Sequence, residues 1–179
     1  MAMEIIQAYR EHVPALRFIG KRYTNGDRGS DGGFGAQWDQ WHEADGFTAL
    51  RRAVGAPVFD SSHLGLMTMR GDMGDFAYWI GLFFPAGTAV PEGDGFVDLP
   101  ESDLGTAWVR GSLESGELFG DAHGKVCEKL AEQGLGEFRS DIAGPGSDTY
   151  CFAERYQCPR FTEKDAEGRV ILDYINYIF

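Results

Sequence analysis

One order of hydrophobic patterns occurs twice along this chain, and that repeat constrains the fold more than any single motif. Residues 14–23 read as a strand. Phe34 to Val54 reads as a helix with a break near Gly46, and Phe34, Trp38 and Trp41 share one face. Strands follow at His63–Arg70 and Asp75–Phe84, joined by the turn Gly71–Gly74. The proline- and glycine-bearing stretch Pro85–Gly95 is an irregular connection, after which the order recurs. Phe96–Leu113 is extended and interrupted around Pro100, and Leu118–Gln133 is a helix with Phe119, Ala122, Val126 and Leu130 at helical spacing. Tyr150–Tyr156 and Val170–Phe179 are the closing strands, with a polar hairpin loop around Glu163–Gly168. Each half is therefore strand, helix, strand, strand. Two such units, about 14–84 and 96–179, predict an α+β fold: an antiparallel sheet, helices on one side and a central cleft. The whole chain, residues 1–179, is read as a single domain.

Composition narrows the partners. The 28 acidic residues outweigh 16 basic ones, for a net charge of −12. No run of Lys and Arg supplies the basic face that phosphate backbones require, so direct nucleic-acid binding is not expected. Three cysteines, Cys127, Cys151 and Cys158, have no framework spacing. With no signal-peptide pattern in Met1–Ile6, they suggest a reduced, cytoplasmic protein. No apolar run approaches the roughly 20 residues of a membrane span.

The strand Tyr150–Tyr156 carries the most specific chemistry. Alternation puts Tyr150, Phe152, Glu154 and Tyr156 on one face, and Thr149, Cys151, Ala153 and Arg155 on the other. A carboxylate among aromatic rings, if turned inward, needs a cation or a proton. The alternative is a glutamate satisfied by Arg110 or Arg155. On the preceding strand pair only one of Tyr78 and Trp79 faces the cleft. The small neighbours Ala77 and Gly81 leave room beside Trp79, which is the preferred ring. Trp38, Trp108, Tyr150, Tyr156 and Tyr174 are further candidate ligand-binding residues, although aromatics at helical spacing, such as Trp38 and Trp41, equally suit a core. Tyr174 and Asn176 share a face of the last strand, where a polar group would orient a ligand or water.

Other chemistries lack their residues. His12, His42, His63 and His123 are scattered without metal-ligand spacing, so no metal is expected. There is no nucleophile elbow and no phosphate loop, and no cofactor is expected.

These landmarks resemble the gyrase-inhibitor-like (GyrI-like) small-molecule-binding family, which is related to the effector-binding domains of multidrug-sensing and AraC-type regulators. The resemblance rests on Asp75–Gly81, Val90–Gly93, Leu99-Pro100 with Gly105–Gly111, Phe152–Tyr156 and Ile175–Phe179, in order along nearly the whole chain. It implies a duplicated fold with an aromatic-lined cleft. It also implies that Glu154 occupies the position of a buried glutamate that meets cationic aromatic ligands. With only about a dozen residues ahead of the first expected strand, a helix-turn-helix domain is not expected and the chain reads as a standalone module. Standalone relatives also imply an enzyme alternative, a hydrolase of strained cyclopropane-type toxins in which the catalytic Glu154 activates water. A weaker alternative is a protein inhibitor of a topoisomerase.

Overall fold

The computed structural model describes residues 3–179. In chain order its elements are β1 (Glu4–Val13), β2 (Leu16–Tyr23), α1 (Gly35–Glu43), α2 (Gly46–Val54), β3 (Ser62–Arg70), β4 (Ala77–Pro85), β5 (Gly95–Leu99), β6 (Ser102–Gly111), α3 (Ala122–Glu132), β7 (Thr149–Gln157) and β8 (Val170–Ile178). The strands form one sheet in the order β1-β6-β8-β7-β3-β4-β2-β5, and every strand pair in it is antiparallel. The duplicated α+β order is present as β2-α1-α2-β3-β4 and β6-α3-β7-β8. No helix among the described residues is long and apolar enough to cross a membrane.

Three boundaries differ from the sequence expectation, each for a local reason. Residues 4–13 are a strand, so the first strand lies ten residues earlier than the pattern suggests. As an edge strand β1 leaves four of its ten residues exposed and buries only Val13, and its apolar alternation is weak. The first helix is two helices, because Asp45 adopts a left-handed backbone (φ 51°) and turns the chain. Gly46 completes that corner: a β-carbon there would lie 2.6 Å from the Trp41 ring. The second helix starts at Ala122 rather than Leu118, leaving Phe119 outside it and half exposed.

The two units exchange their leading strands. β1 precedes β2 yet pairs with β6, whereas β5 precedes β6 yet pairs with β2. Only Pro14 and Ala15 join β1 to β2, and three peptide steps span at most about 11 Å. Flat sheet geometry would separate these strands by six spacings, about 29 Å. The sheet must therefore curl until its two ends meet. Its inner face fills with Val13, Leu16, Phe18, Leu64, Leu66, Phe83, Leu104, Ile175 and Tyr177, all buried in one cluster. The outer face carries the helices. There α3 covers the second unit through Val126 and Leu130, and α1 and α2 cover the first through Trp41, Phe47 and Leu50.

Candidate functional site

Register decides what faces the gap between the helices. Tyr78, Met67, Phe152 and Asn176 form one cross-strand row on the helix-bearing face, and Ile80, Gly65, Glu154 and Tyr174 form the next. Trp79, Leu66, Ala153 and Ile175 line up on the inner face. Tyr78 is on β4 and Glu154 on β7, with β3 between them. They nevertheless touch, because Gly65 of β3 has no side chain. A β-carbon at Gly65 would lie 2.4 Å from the Tyr78 hydroxyl and 3.2 Å from Glu154 Oε2. The phenol crosses the strand through that gap.

The resulting hydrogen-bond chain has a fixed direction. Trp38 Nε1 of α1 donates to the Tyr78 hydroxyl at 3.0 Å, and an indole N–H can only donate. Tyr78 therefore gives its own proton to Glu154 Oε2, also at 3.0 Å. Tyr156, two residues along β7, donates to the same oxygen at 2.8 Å. Glu154 Oε1 has no hydrogen-bond partner among the described residues, and it is not sealed from the cavity. Oε1 is thus the carboxyl atom that faces the cavity, and the one left to carry the proton when the acid is neutral.

Electrostatics leaves this carboxyl uncompensated. Burial raises its pKa above the ordinary value, and the Tyr156 and Tyr78 hydrogen bonds oppose that rise in part. The two phenols are themselves pushed up by burial and by the Glu154 charge. His63, on the cavity wall, is held down to about 4 by burial and by Arg51 and His42, so it is neutral near pH 7. Neither arginine considered as a partner for Glu154 meets it. Arg110 pairs with Glu4, and Arg155 points to the inner face, where it binds Asp173 and Glu11.

Above Glu154 opens a cavity of about 820 Å³, within the range of drug-sized sites. Its walls are rich in aromatic rings, from Phe34, Trp38, Phe76, Tyr78, Phe119, Tyr156 and Phe161, with Met67 beside them. Phe34 stacks flat on Tyr78 at 4.3 Å and 5°, and Trp38 meets Tyr156 edge-on at 4.7 Å. Arg28, Asp31 and Asp39 also line it.

The structure brings Glu154, Tyr156 and Trp38 together in this cavity and separates the other sequence candidates from it. Tyr150 shares the face of Glu154 but sits at the far end of β7, opposite Met69. Tyr174 lies beside Glu154 across the β7–β8 pair, yet its hydroxyl donates to the Leu118 carbonyl at 2.5 Å. Trp108 is on the inner face, edge-on to Tyr9 and under the Arg160 guanidinium. Trp79 also points inward, so Tyr78 and not Trp79 is the cleft-facing ring. The small residue beside Trp79 has a different cause: a β-carbon on Gly81 would meet the Ile19 carbonyl at 2.1 Å, so it is the β2 backbone that needs the space. Sequence reasoning missed Phe34, Met67, Phe76 and Phe161 as wall residues. A glycine between the apolar residues Leu64, Leu66 and Met67 of β3 was the available signal for the Tyr78 crossing.

Fold and site together define a duplicated α+β domain with an aromatic cleft closed at its base by one carboxyl group. No protein-family model matches the chain, and no curated protein matches it. Solved structures do. A putative bacterial transcription regulation protein from Staphylococcus aureus MU50 is 12% identical over 97% of this chain and 99% of its own, with a TM-score of 0.60. SAV2435, solved bound to tetraphenylphosphonium, is 16% identical over 97% of this chain and 94% of its own, with a TM-score of 0.65. EcmrR, solved in a complex with DNA, is 11% identical over 97% of this chain and 58% of its own, with a TM-score of 0.55. At these identities the shared property is the fold, and it is the fold that the GyrI-like resemblance implies.

Proposed function

We propose that this chain is a small-molecule-binding protein that takes up apolar or cationic aromatic ligands in the cleft, with Glu154 as the counter-charge. The observation that carries this reading is the state of Glu154: buried, without a cationic partner among the described residues, and with Oε1 open to an aromatic cavity. A ligand cation supplies the missing partner. The surrounding ring faces add cation–π attraction of about 0.5–2 kcal/mol each. The structural neighbour SAV2435 was solved with tetraphenylphosphonium, a cation of this kind.

Linkage makes the reading testable. A cation favours ionised Glu154, so binding expels a proton whenever the free carboxyl is partly protonated. Calorimetric titration with tetraphenylphosphonium in buffers of differing ionisation enthalpy should show proton release in the wild type. Glu154→Gln should show none and bind at least about tenfold more weakly, a loss of ~1.4 kcal/mol. Equal affinity in the two proteins sinks the counter-charge role.

The same oxygen favours a second reading. An open Oε1 on a carboxyl with a raised pKa suits general acid–base work, as in a hydrolase of strained cyclopropane-type toxins with Glu154 directing water. Incubation with a cyclopropane-bearing alkylator should then yield ring-opened product, lost in Glu154→Gln. No product above buffer removes this reading.

A further inference from the structure

The wall of the cleft is already occupied by the chemistry it is suited to bind. Phe34 lies flat on Tyr78, on the ring whose hydroxyl reaches Glu154. The Arg28 guanidinium lies 4.7 Å from the Phe34 ring centre and 4.9 Å from that of Phe76. Tyr78 takes one face of Phe34 at contact distance, which leaves the other face for the arginine. The sequence in space is therefore cation, aromatic ring, aromatic ring, carboxyl.

Arg28 is free to play this part. Its Nε donates to Asn25 Oδ1 and its Nη1 to the Gly32 carbonyl, and no carboxylate among the described residues lies within 4.0 Å of it. The segment that carries the pair is lightly held. Gly29, Gly32, Gly33 and Gly35 flank Phe34, and residues 25–32 are exposed while Phe34 is 7% exposed. The segment's polar ties are mostly internal, Thr24 to Asp27 and Gly33 to Asp31, with Gln37 Nε2 of α1 donating to the Asp27 carbonyl, so the ring and the guanidinium are its main contacts with the cleft wall.

We propose that Arg28 and Phe34 determine specificity as a tethered surrogate ligand, an aromatic ring and a cation that a free aromatic cation must displace to stack on Tyr78. This inference rests on the binding reading above. It selects ligands by size and charge. A single-ring cation recovers only what the surrogate gives up, whereas a multi-ring cation gains additional wall contacts. Removing the guanidinium removes a competing charge and leaves the apolar part of the cleft unchanged.

The experiment compares tetraphenylphosphonium with the neutral triphenylphosphine oxide on wild type, Arg28→Gln and Phe34→Ala. Arg28→Gln should bind tetraphenylphosphonium about 2- to 5-fold more tightly, the fold-change of one exposed cation–π contact, with the neutral probe unchanged. Phe34→Ala should bind both probes more tightly and associate faster. Phe34 also packs in the core, so the exposed Arg28 position keeps the proposal falsifiable if Phe34→Ala does not fold. Glu154-dependent binding in the wild type with no tightening in Arg28→Gln overturns the surrogate alone. Absence of binding in all three proteins overturns the binding reading, and the surrogate with it. Binding seen only in the two variants supports both.

Discussion

At Glu154 two phenols, one of them held in turn by the Trp38 indole, donate to one oxygen of a buried carboxyl while the other faces the cavity. This arrangement has a stability consequence. Burial raises the folded-state pKa above the ordinary 4.5, so the proton binds more tightly in the folded chain than in the unfolded one. The associated stability is fully present below 4.5 and is lost as pH rises through the raised value. Glu154→Gln cannot ionise and escapes that loss. Its melting temperature should exceed that of the wild type near pH 8. The two melting curves should converge near pH 4; a gap that is constant with pH would refute the assignment. Alternation on β7 made Glu154 and Tyr156 legible in the sequence. On β4 both faces of the strand are buried, so alternation there carries no sidedness, and Tyr78 was decided by register and by the gap at Gly65.

β7 as an element serves both faces of the sheet. On the inner face, one residue after Glu154, Arg155 binds Asp173 of β8 at 2.8 Å and Glu11 of β1 at 3.1 Å, with its guanidinium over the Phe59 ring. Asp173 is fully buried and also pairs with Arg160. This network ties the exchanged strand β1 to the middle of the sheet. Removing one member of a buried pair leaves its partner's charge uncompensated, at a typical cost of 3–5 kcal/mol. Arg155→Met should therefore lower stability by about 3 kcal/mol in urea unfolding, the low end because Arg160 remains on Asp173. Backbone amides of Glu4–Val13 should lose hydrogen-exchange protection before those of β3 and β4. A loss below about 0.5 kcal/mol would show the network to be no better than a surface pair. The sequence marked Arg155 as a residue of the opposite face but not its partners, because Glu11 lies in β1, the one strand that the pattern did not reveal. An edge strand's half-polar alternation resembles a solvated segment until its partner β6 is known.

Across the whole molecule, the duplicated order was readable because each unit buries its own helix face, and helical spacing survives in the sequence. The curl of the sheet was not, since it follows from a strand exchange that no local pattern encodes. Charge acts at this scale too. The chain as a whole carries a net charge of −12, and such a charge attracts a cationic ligand at long range. Screening shortens that attraction from about 10 Å at 0.1 M salt to about 3 Å at 1 M, while the buried Glu154 contact is screened far less. The effect should thus fall on association and spare dissociation. Stopped-flow quenching of tryptophan fluorescence, with Trp38 in the cavity wall as the reporter, separates the two. Between 0.02 and 0.5 M salt the association rate of tetraphenylphosphonium should fall about 3-fold or more, with its dissociation rate nearly constant. Triphenylphosphine oxide, having no charge to steer, should associate at the same rate throughout. Equal slowing of both probes would trace the effect to the protein's own conformational change and remove charge steering from the account.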